Sequence, residues 1–368
     1  MNGLYIHIPF CISKCRYCDF ASFSGKLSTA SAYVDAVCAE MEQYNGESFD
    51  TVYFGGGTPT VLDLALFEKL FWGIDKNFSI SSDCEITVEA NPATVDKEKA
   101  SALVNFGVNR ISLGAQSMID TELETLGRIH TSADTVNTYN IIRNAGIENI
   151  SLDLMYALPG QTMDSLSKSV EGVLNLNPEH ISCYGLKIEE GTPFAAMAER
   201  GEIAYPDDDI SADMYDYIVD ALTEKGYERY EISNFSKPGF PSRHNSKYWT
   251  CTDYIGLGLG AASCYNGERY TNCSDFNGYF DGYTKSERVV LSTEDKMSEF
   301  VILGLRLIKD GVDKKKFFDT FGCDIYSVFG KYIDKHIHNG LISDNGSSLL
   351  LTRKGCYVSN YVMSDFLL

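Results

Sequence analysis

Cys11-Ile-Ser-Lys-Cys15-Arg-Tyr-Cys18 places three thiols within eight residues, with C-x3-C-x2-C spacing. A structural zinc ion asks for four ligands, usually as two close pairs. The next cysteine, Cys38, falls on the apolar face of a helical segment and is a poor fourth. Three thiolates on one loop instead suit three irons of a [4Fe–4S] cubane whose fourth iron stays open. An open iron can take up an amine and a carboxylate together. S-adenosylmethionine offers both, and reduction of its sulfonium releases a 5′-deoxyadenosyl radical. The loop therefore predicts an iron–sulfur cluster and a bound S-adenosylmethionine.

A second signal lies at Gly55-Gly56-Gly57-Thr58-Pro59-Thr60. Glycines let a backbone approach a ligand closely, and their amides can meet its carboxylate or amine. Polar residues then recur at the ends of successive apolar runs: Glu89 and Asn91, Gln116, and Asp153. Polar groups at the C-terminal ends of barrel strands are where such folds build active sites.

The elements that must position these groups are legible. Leu4–Ile8, Thr51–Phe54, Glu85–Glu89, Arg110–Leu113, Ile150–Leu154 and Ile181–Leu186 read as strands. Several are near-continuous apolar runs, as buried parallel strands should be. Helix-period faces lie between them, one from Tyr33, Val34, Val37, Cys38 and Met41, another from Leu166, Val170, Val173 and Leu174. Strand–helix alternation predicts an α/β fold with a parallel sheet. Six units in about 190 residues fall short of an eight-fold barrel, so a partial (β/α)6 barrel or curved open sheet is expected over 1–205.

Beyond it, a helix over Ile210–Lys225 and a weakly periodic aromatic, Gly-rich stretch over Tyr227–Tyr283 form a barrel extension, residues 206–290. Residues 291–368 read as a winged-helix-like α+β module. It comprises a helix Met297–Ile308 capped from Ser292, helical structure over Phe317–His338, a hairpin pairing Leu341–Ile342 with Leu349–Leu351 across Asn345-Gly346, and a last helix over Tyr357–Phe366.

Composition narrows the function. The 368 residues carry 31 Lys and Arg against 51 Asp and Glu, a net charge of −20. Such a surface repels phosphate backbones and argues against nucleic acid as a partner. Residues 292–368 hold ten of each sign, so the deficit lies before them, marking a boundary near 290. No run of 18 apolar residues marks a membrane span and no secretory signal is visible, so a cytoplasmic protein is expected. The other eight cysteines (Cys38, Cys84, Cys183, Cys251, Cys264, Cys273, Cys323, Cys356) then read as reduced thiols, most of them buried.

The C-x3-C-x2-C loop together with Gly55–Thr60 resembles the radical-SAM superfamily. Phe10-Cys11, Cys18-Asp19-Phe20, Phe54–Thr60, Val88–Pro92, Ser112–Ser117, Asp153–Gly160 and the C-terminal module are similar to oxygen-independent coproporphyrinogen III dehydrogenase and its relatives. The resemblance implies cluster ligands Cys11, Cys15 and Cys18. It implies S-adenosylmethionine contacts at Tyr5, Tyr17, Gly56, Gly57, Thr58, Glu89, Gln116, Arg128, Asp153, Lys187 and Ala262.

Two departures separate branches of that family. The dehydrogenases carry a further cysteine two residues after the third, where this chain has Phe20, and an extension before a loop that here begins at residue 11. Both match the heme chaperones once mislabelled as coproporphyrinogen oxidases. That branch carries H-N-x-x-Y-W, and His244-Asn245-Ser246-Lys247-Tyr248-Trp249 matches all four fixed positions. The resemblance implies heme binding there. His244 would be the axial ligand, Asn245 would orient it, and Tyr248 and Trp249 would offer flat apolar surface. His7, His130, His180, His336 and His338 read as structural or exposed. The expected function is to bind heme and pass it to an acceptor protein, with no catalytic residue assigned; a homodimer and a reductant protein fit the same picture. Two alternatives stay open: the dehydrogenase itself, a radical oxidative decarboxylation in porphyrin biosynthesis, and another radical-SAM enzyme on a different substrate.

Overall fold

The protein is described from a computed structural model covering residues 1–282 and 285–368. Tyr283, the end of the expected aromatic stretch, lies outside the described residues.

The six expected strands form, as Asn2–Ile8, Ser48–Gly56, Ser79–Ala90, Arg110–Gln116, Asn149–Tyr156 and His180–Gly185. They lie side by side in chain order, every pairing parallel. Leu4, Ile6, Val52, Phe54, Val88, Leu113, Ile150, Leu152 and Ile181 are wholly buried. Burial on both faces is what makes these strands read as unbroken apolar runs. Helices Ala30–Met41, Leu64–Asn77, Lys97–Asn105, Ser132–Asn144 and Met163–Leu176 cover the outside. Thr131–Asp134 and Thr162–Ser165 close two of their N-termini with reciprocal capping boxes.

The expected partial barrel is extended on both sides. A seventh parallel strand, Tyr254–Leu257, pairs with the first, Tyr5 opposite Gly256. Antiparallel strands Ala262–Tyr265, Glu268–Thr271 and Glu287–Val290 follow at that edge, while Asn234–Ser236 and Glu228–Arg229 continue the other. The result is an open twelve-stranded mixed sheet. Among its described residues, the stretch after Tyr227 thus holds short strands of this sheet and two short helices, Arg243–Trp249 and Phe276–Phe280. Its strands have two to four residues, too short to show a period.

The C-terminal part has its own core around Val301, Leu305, Phe317, Phe329, Ile333 and Phe366. Ser292 caps helix Thr293–Gly304. The expected single helical span over Phe317–His338 is two helices, Lys314–Phe321 and Ile325–His338. Gly322 turns left-handed (φ 73°) to end the first and Asp324 caps the second. The hairpin joins Ile342–Asp344 to Ser348–Leu351, with Val312–Asp313 as a third strand. The last helix is likewise broken, into Arg353–Tyr357 and Ser359–Ser364. Helix Asp208–Glu224 serves both cores: Met214, Ile218 and Leu222 face the sheet, and Tyr215 faces the module. Of the eight scattered cysteines, Cys84, Cys183, Cys273 and Cys356 are buried. Cys38, Cys264 and Cys323 are half-buried and Cys251 is exposed.

Candidate functional site

The six barrel strands run toward one rim, and the cysteine loop lies across it. The loop leaves the first strand through Phe10–Cys11, which pairs with Phe23–Ser24. Two backbone hydrogen bonds then pin its middle: Arg16 N–H to the Leu126 carbonyl, and Phe194 N–H to the Arg16 carbonyl, each 3.0 Å. All three thiols are half-buried and line one cavity of about 350 Å³. Cys11 Sγ lies 3.6 Å from Thr58 Oγ1 and Cys18 Sγ 3.9 Å from Ser22 Oγ. Arg128 Nη1 donates to Cys15 Sγ at 3.4 Å. Burial pushes the Cys11 and Cys18 thiols up. A cation bound there would deprotonate them.

Among the described residues no three His, Cys, Asp or Glu side chains converge on a single-ion site. A cubane needs no such convergence, because each sulfur meets a different iron. The donor set therefore fits the cluster: three thiols on one face, with a guanidinium beside one of them.

Arg128 also ties the loop to the strand ends. Its Nη2 donates to Asn91 Oδ1 at 2.6 Å and to the Gly114 carbonyl at 2.7 Å. A Cβ on Gly114 would stand 2.8 Å from Gln116 Nε2, so a side chain there would push aside the tips of Asn91, Gln116 and Arg128 where they meet. Gln116 itself adopts φ 64°. A non-glycine residue held left-handed is uncommon, and such outliers cluster at functional sites.

Below the rim, Glu89 accepts from Tyr53 Oη at 2.7 Å and from Gly56 N–H at 3.0 Å. Burial raises its carboxyl to about 7. Asp153 accepts from Ser112 Oγ at 3.2 Å and is also raised by burial. The triple glycine works differently from expectation. Gly57 N–H bonds the Ile8 carbonyl and Thr58 N–H the Phe10 carbonyl, both at 2.8 Å, so these amides with that of Gly56 are engaged within the protein. The glycines are needed for space. A Cβ on Gly56, which sits at φ 107°, would meet the His7 ring at 2.3 Å.

The cavity gathers most of the expected cofactor residues: Tyr17, Gly56, Gly57 and Thr58, then Glu89, Gln116, Arg128 and Asp153, with Lys187 at the mouth. Two stand apart from its lining. Tyr5 turns its hydroxyl to His7 Nδ1 at 3.0 Å. Ala262 sits on the antiparallel edge opposite Thr271. Reading the sequence missed Tyr53, Arg110, Ser112, Ser182 and Tyr184, which also line the cavity. Arg110 is 1% exposed and its Nε and Nη1 have no partner. A charged residue opening an apolar strand was the available signal.

The H-N-x-x-Y-W residues expected to hold heme, His244 to Trp249, lie on helix Arg243–Trp249. His244 is buried, its Nδ1 2.9 Å from Thr51 Oγ1 and its Nε2 2.9 Å from Tyr248 Oη. Its ring stacks on Tyr53 with centroids 5.1 Å apart. Burial lowers its pKa to about 3. Both ring nitrogens are thus hydrogen-bonded within the protein. The imidazole is oriented by Thr51 and Tyr248, not by Asn245, which faces the main cavity. Tyr248 packs edge-on against Tyr254. Trp249 lies under the Arg306 guanidinium at 4.2 Å, joining the barrel to the C-terminal module.

The Radical SAM superfamily pattern matches residues 5–172, and that of the HemN C-terminal domain matches 291–358. Heme chaperone HemW of Lactococcus lactis is 38% identical over 370 residues, covering 100% of this chain and 97% of the relative. The Bacillus subtilis protein of that name is 36% identical, over 100% and 99%. The Escherichia coli one is 33% identical, over 99% and 98%. The solved coproporphyrinogen III oxidase (HemN) of Escherichia coli superposes with a TM-score of 0.87 over 99% of this chain and 89% of its own, at 23% identity, which shows a shared fold. With this end-to-end similarity, and three thiols on one barrel rim, the chain belongs to the radical-SAM family of the HemW heme chaperones.

Proposed function

We propose that the chain is a heme carrier that passes heme to an acceptor protein and holds a [4Fe–4S] cluster and S-adenosylmethionine at the barrel mouth. Cys11, Cys15 and Cys18 would hold the cluster. Gly56, Gly57, Thr58, Glu89, Gln116, Arg128 and Asp153 would line the S-adenosylmethionine site, with Tyr17 and Lys187 at its opening. When bound, the cluster supplies an electron to the sulfonium. Arg128 keeps charge near Cys15 balanced, and Asn91 and the Gly114 carbonyl hold that guanidinium in place. Glu89 is fixed by Tyr53 and Gly56, offering an oriented acceptor to an amine or hydroxyl.

The observation that carries this reading is the convergence of the three thiols and Arg128 on one cavity, in a chain that matches heme chaperones end to end. Position 20, where the dehydrogenases hold a further cysteine, is Phe20, which argues against the oxidative decarboxylation. Work in the cytoplasm suits eleven free cysteines. Among the described residues no helix is long and apolar enough to cross a membrane. Three units, 1–205, 206–290 and 291–368, a homodimer and a reductant protein belong to the same proposal.

The test is anaerobic reconstitution with iron and sulfide, followed by hemin titration and by coproporphyrinogen III turnover with S-adenosylmethionine and a reductant. One hemin per chain, released to an added apoprotein without protoporphyrinogen IX being made, is expected. Protoporphyrinogen formation would overturn the reading in favour of the dehydrogenase.

A further inference from the structure

Arg110 lines the cavity and has no task in the proposed function. It opens strand Arg110–Gln116, opposite Thr87 on one neighbouring strand and Asn149 on the other. Side chains alternate along a strand, so Ser112, two residues on, points to the same interior face. Ser112 stands in register with Glu89, and its Oγ donates to the Asp153 carboxylate, 3.2 Å from either oxygen. Glu89 and Asp153 therefore flank Ser112 from the strands on either side, one interior position beyond Arg110. The guanidinium is 1% exposed, and its Nε and Nη1 have no hydrogen-bond partner among the described residues. A guanidinium keeps its proton even when buried. A positive charge thus stands beside two buried carboxyls without a bonded pair to any protein group through those two nitrogens.

Two carboxyls placed this way oppose each other's ionisation, and a cation between their strands relieves it. In an interior of low dielectric constant that relief acts across several ångströms without contact. Burial raises both carboxyls, Asp153 adds to the rise in Glu89, and Arg110 opposes it in both. The other ionisable groups facing them stay uncharged near neutrality. Burial raises Tyr53, Tyr184 and Tyr230 and lowers His180 and His244. It also raises Tyr5 and Tyr248, on the Glu89 side, and Cys183, beside Asp153. The other guanidinium of the cavity, Arg128, is committed at the rim to Cys15, Asn91 and the Gly114 carbonyl. Arg110 is left to answer the two acids.

We infer that Arg110 is a positioning residue whose buried charge lets Glu89 and Asp153 be ionised together, and that it sets the affinity for S-adenosylmethionine through these two carboxyls. This rests on the reading of the cavity as the S-adenosylmethionine site. The ligand brings an amine, two ribose hydroxyls and a positive sulfonium. An ionised carboxyl accepts a hydrogen bond about twice as strongly as a neutral one, and it also attracts the sulfonium. Without Arg110 the cavity would offer one anion at neutral pH rather than two. The same role accounts for an arginine at the start of an otherwise apolar buried strand.

The test is equilibrium binding of S-adenosylmethionine to the reconstituted full-length chain between pH 6 and pH 8.5, with iron content and melting temperature as controls for folding. Arg110→Met should weaken binding about fivefold at pH 7 and approach wild type at the alkaline end, because the carboxyls then ionise about one pH unit later. Arg110→Lys should restore most of the affinity. In the cluster-free chain, with no ligand present, the stability that Glu89 contributes should persist to higher pH in Arg110→Met than in wild type. An equal loss at every pH that lysine does not relieve, or a profile identical to wild type, would overturn the inference and leave the S-adenosylmethionine site intact. Should Arg110→Met fail to load iron, the double variant Arg110→Met with Asp153→Asn, which removes one charge of each sign, should load it; failure of both would overturn the inference. A wild-type chain that takes up iron but no S-adenosylmethionine overturns the reading of the cavity and this inference with it.

Discussion

The two ends of the barrel treat polar groups in opposite ways. At the mouth, three half-buried thiols and the carboxylate of Glu89 face open volume. At the floor, polar groups answer one another. His244 N–H and Arg243 N–H donate to the two oxygens of Glu85 at 2.9 and 3.1 Å. Lys247 reaches Asp50 at 2.7 Å and the Met1 carbonyl at 2.8 Å. His180 and His244 have both nitrogens bonded. A buried network in which most groups are paired stiffens a fold, whereas polar groups on a rim facing open volume can meet a ligand. The lesson concerns sequence motifs. H-N-x-x-Y-W holds residue types suited to heme, and its His244 is also built into the hydrogen bonding under the strands.

The largest effect that tests this contrast is loss of metal. Replacing Cys11, Cys15 and Cys18 by Ser should abolish cluster iron and labile sulfide after anaerobic reconstitution. The melting temperature of the unreconstituted protein should move by no more than a few degrees. Retention of iron in the triple variant would break the assignment of the mouth.

Next in size is a floor substitution. His244→Ala removes an aromatic stack and strands the Thr51 and Tyr248 hydroxyls, so about 2–4 kcal/mol of stability should be lost in urea unfolding. Variant protein that remains folded should reconstitute the same iron per chain as wild type. A stability-neutral His244→Ala with lost hemin binding would invert the comparison.

How far this was legible follows from the same physics. The six strands could be read because parallel strands covered on both faces are apolar throughout. The cysteine loop and the glycine run could be read because their chemistry is local in sequence. The seventh strand, Tyr254-Ile-Gly-Leu257, offers four residues and a glycine, and its place beside Asn2–Ile8 is a tertiary fact. The surroundings of His244 were illegible for a related reason. Residue type gives an imidazole, but whether its nitrogens are free depends on Thr51, some 190 residues away in the chain, and on Tyr248.

A smaller effect separates the floor by acidity. The His244 pKa is lowered to about 3 in the folded protein and stands near 6.5 unfolded. A depressed group contributes stability that is complete above the unfolded value and is lost as pH falls below it. Between pH 7 and pH 5 the loss from His244 should be about 2 kcal/mol, with His180, lowered in the same direction by burial, adding to it. Urea midpoints measured across that range should fall toward acid in wild type and fall less steeply in His244→Gln. Parallel slopes would show that the floor admits water and a proton freely.

The smallest effect has the opposite sign and comes from the cavity. The Glu89 carboxyl is raised to about 7 in the folded chain and titrates near 4.3 unfolded. Folded protein therefore binds more protons than unfolded in that interval, and the contribution of Glu89 is complete below about 4.3 and is lost as pH rises through 7. Because Glu89 lines an open cavity, solvent screening cuts the full shift, and about 1 kcal/mol is expected. Glu89→Gln removes this dependence. Its stability relative to wild type should rise between pH 4.5 and pH 7 and level off above, while the accepted bonds from Tyr53 and Gly56 are weakened at every pH. A site built only for stability would not hold a carboxylate where ionisation costs free energy at neutral pH. A ligand donor that pairs with Glu89 would recover that cost, so the pH-dependent gain in Glu89→Gln should shrink when S-adenosylmethionine is present. Persistence of the full gain at saturating S-adenosylmethionine would remove Glu89 from the ligand site and return it to the framework.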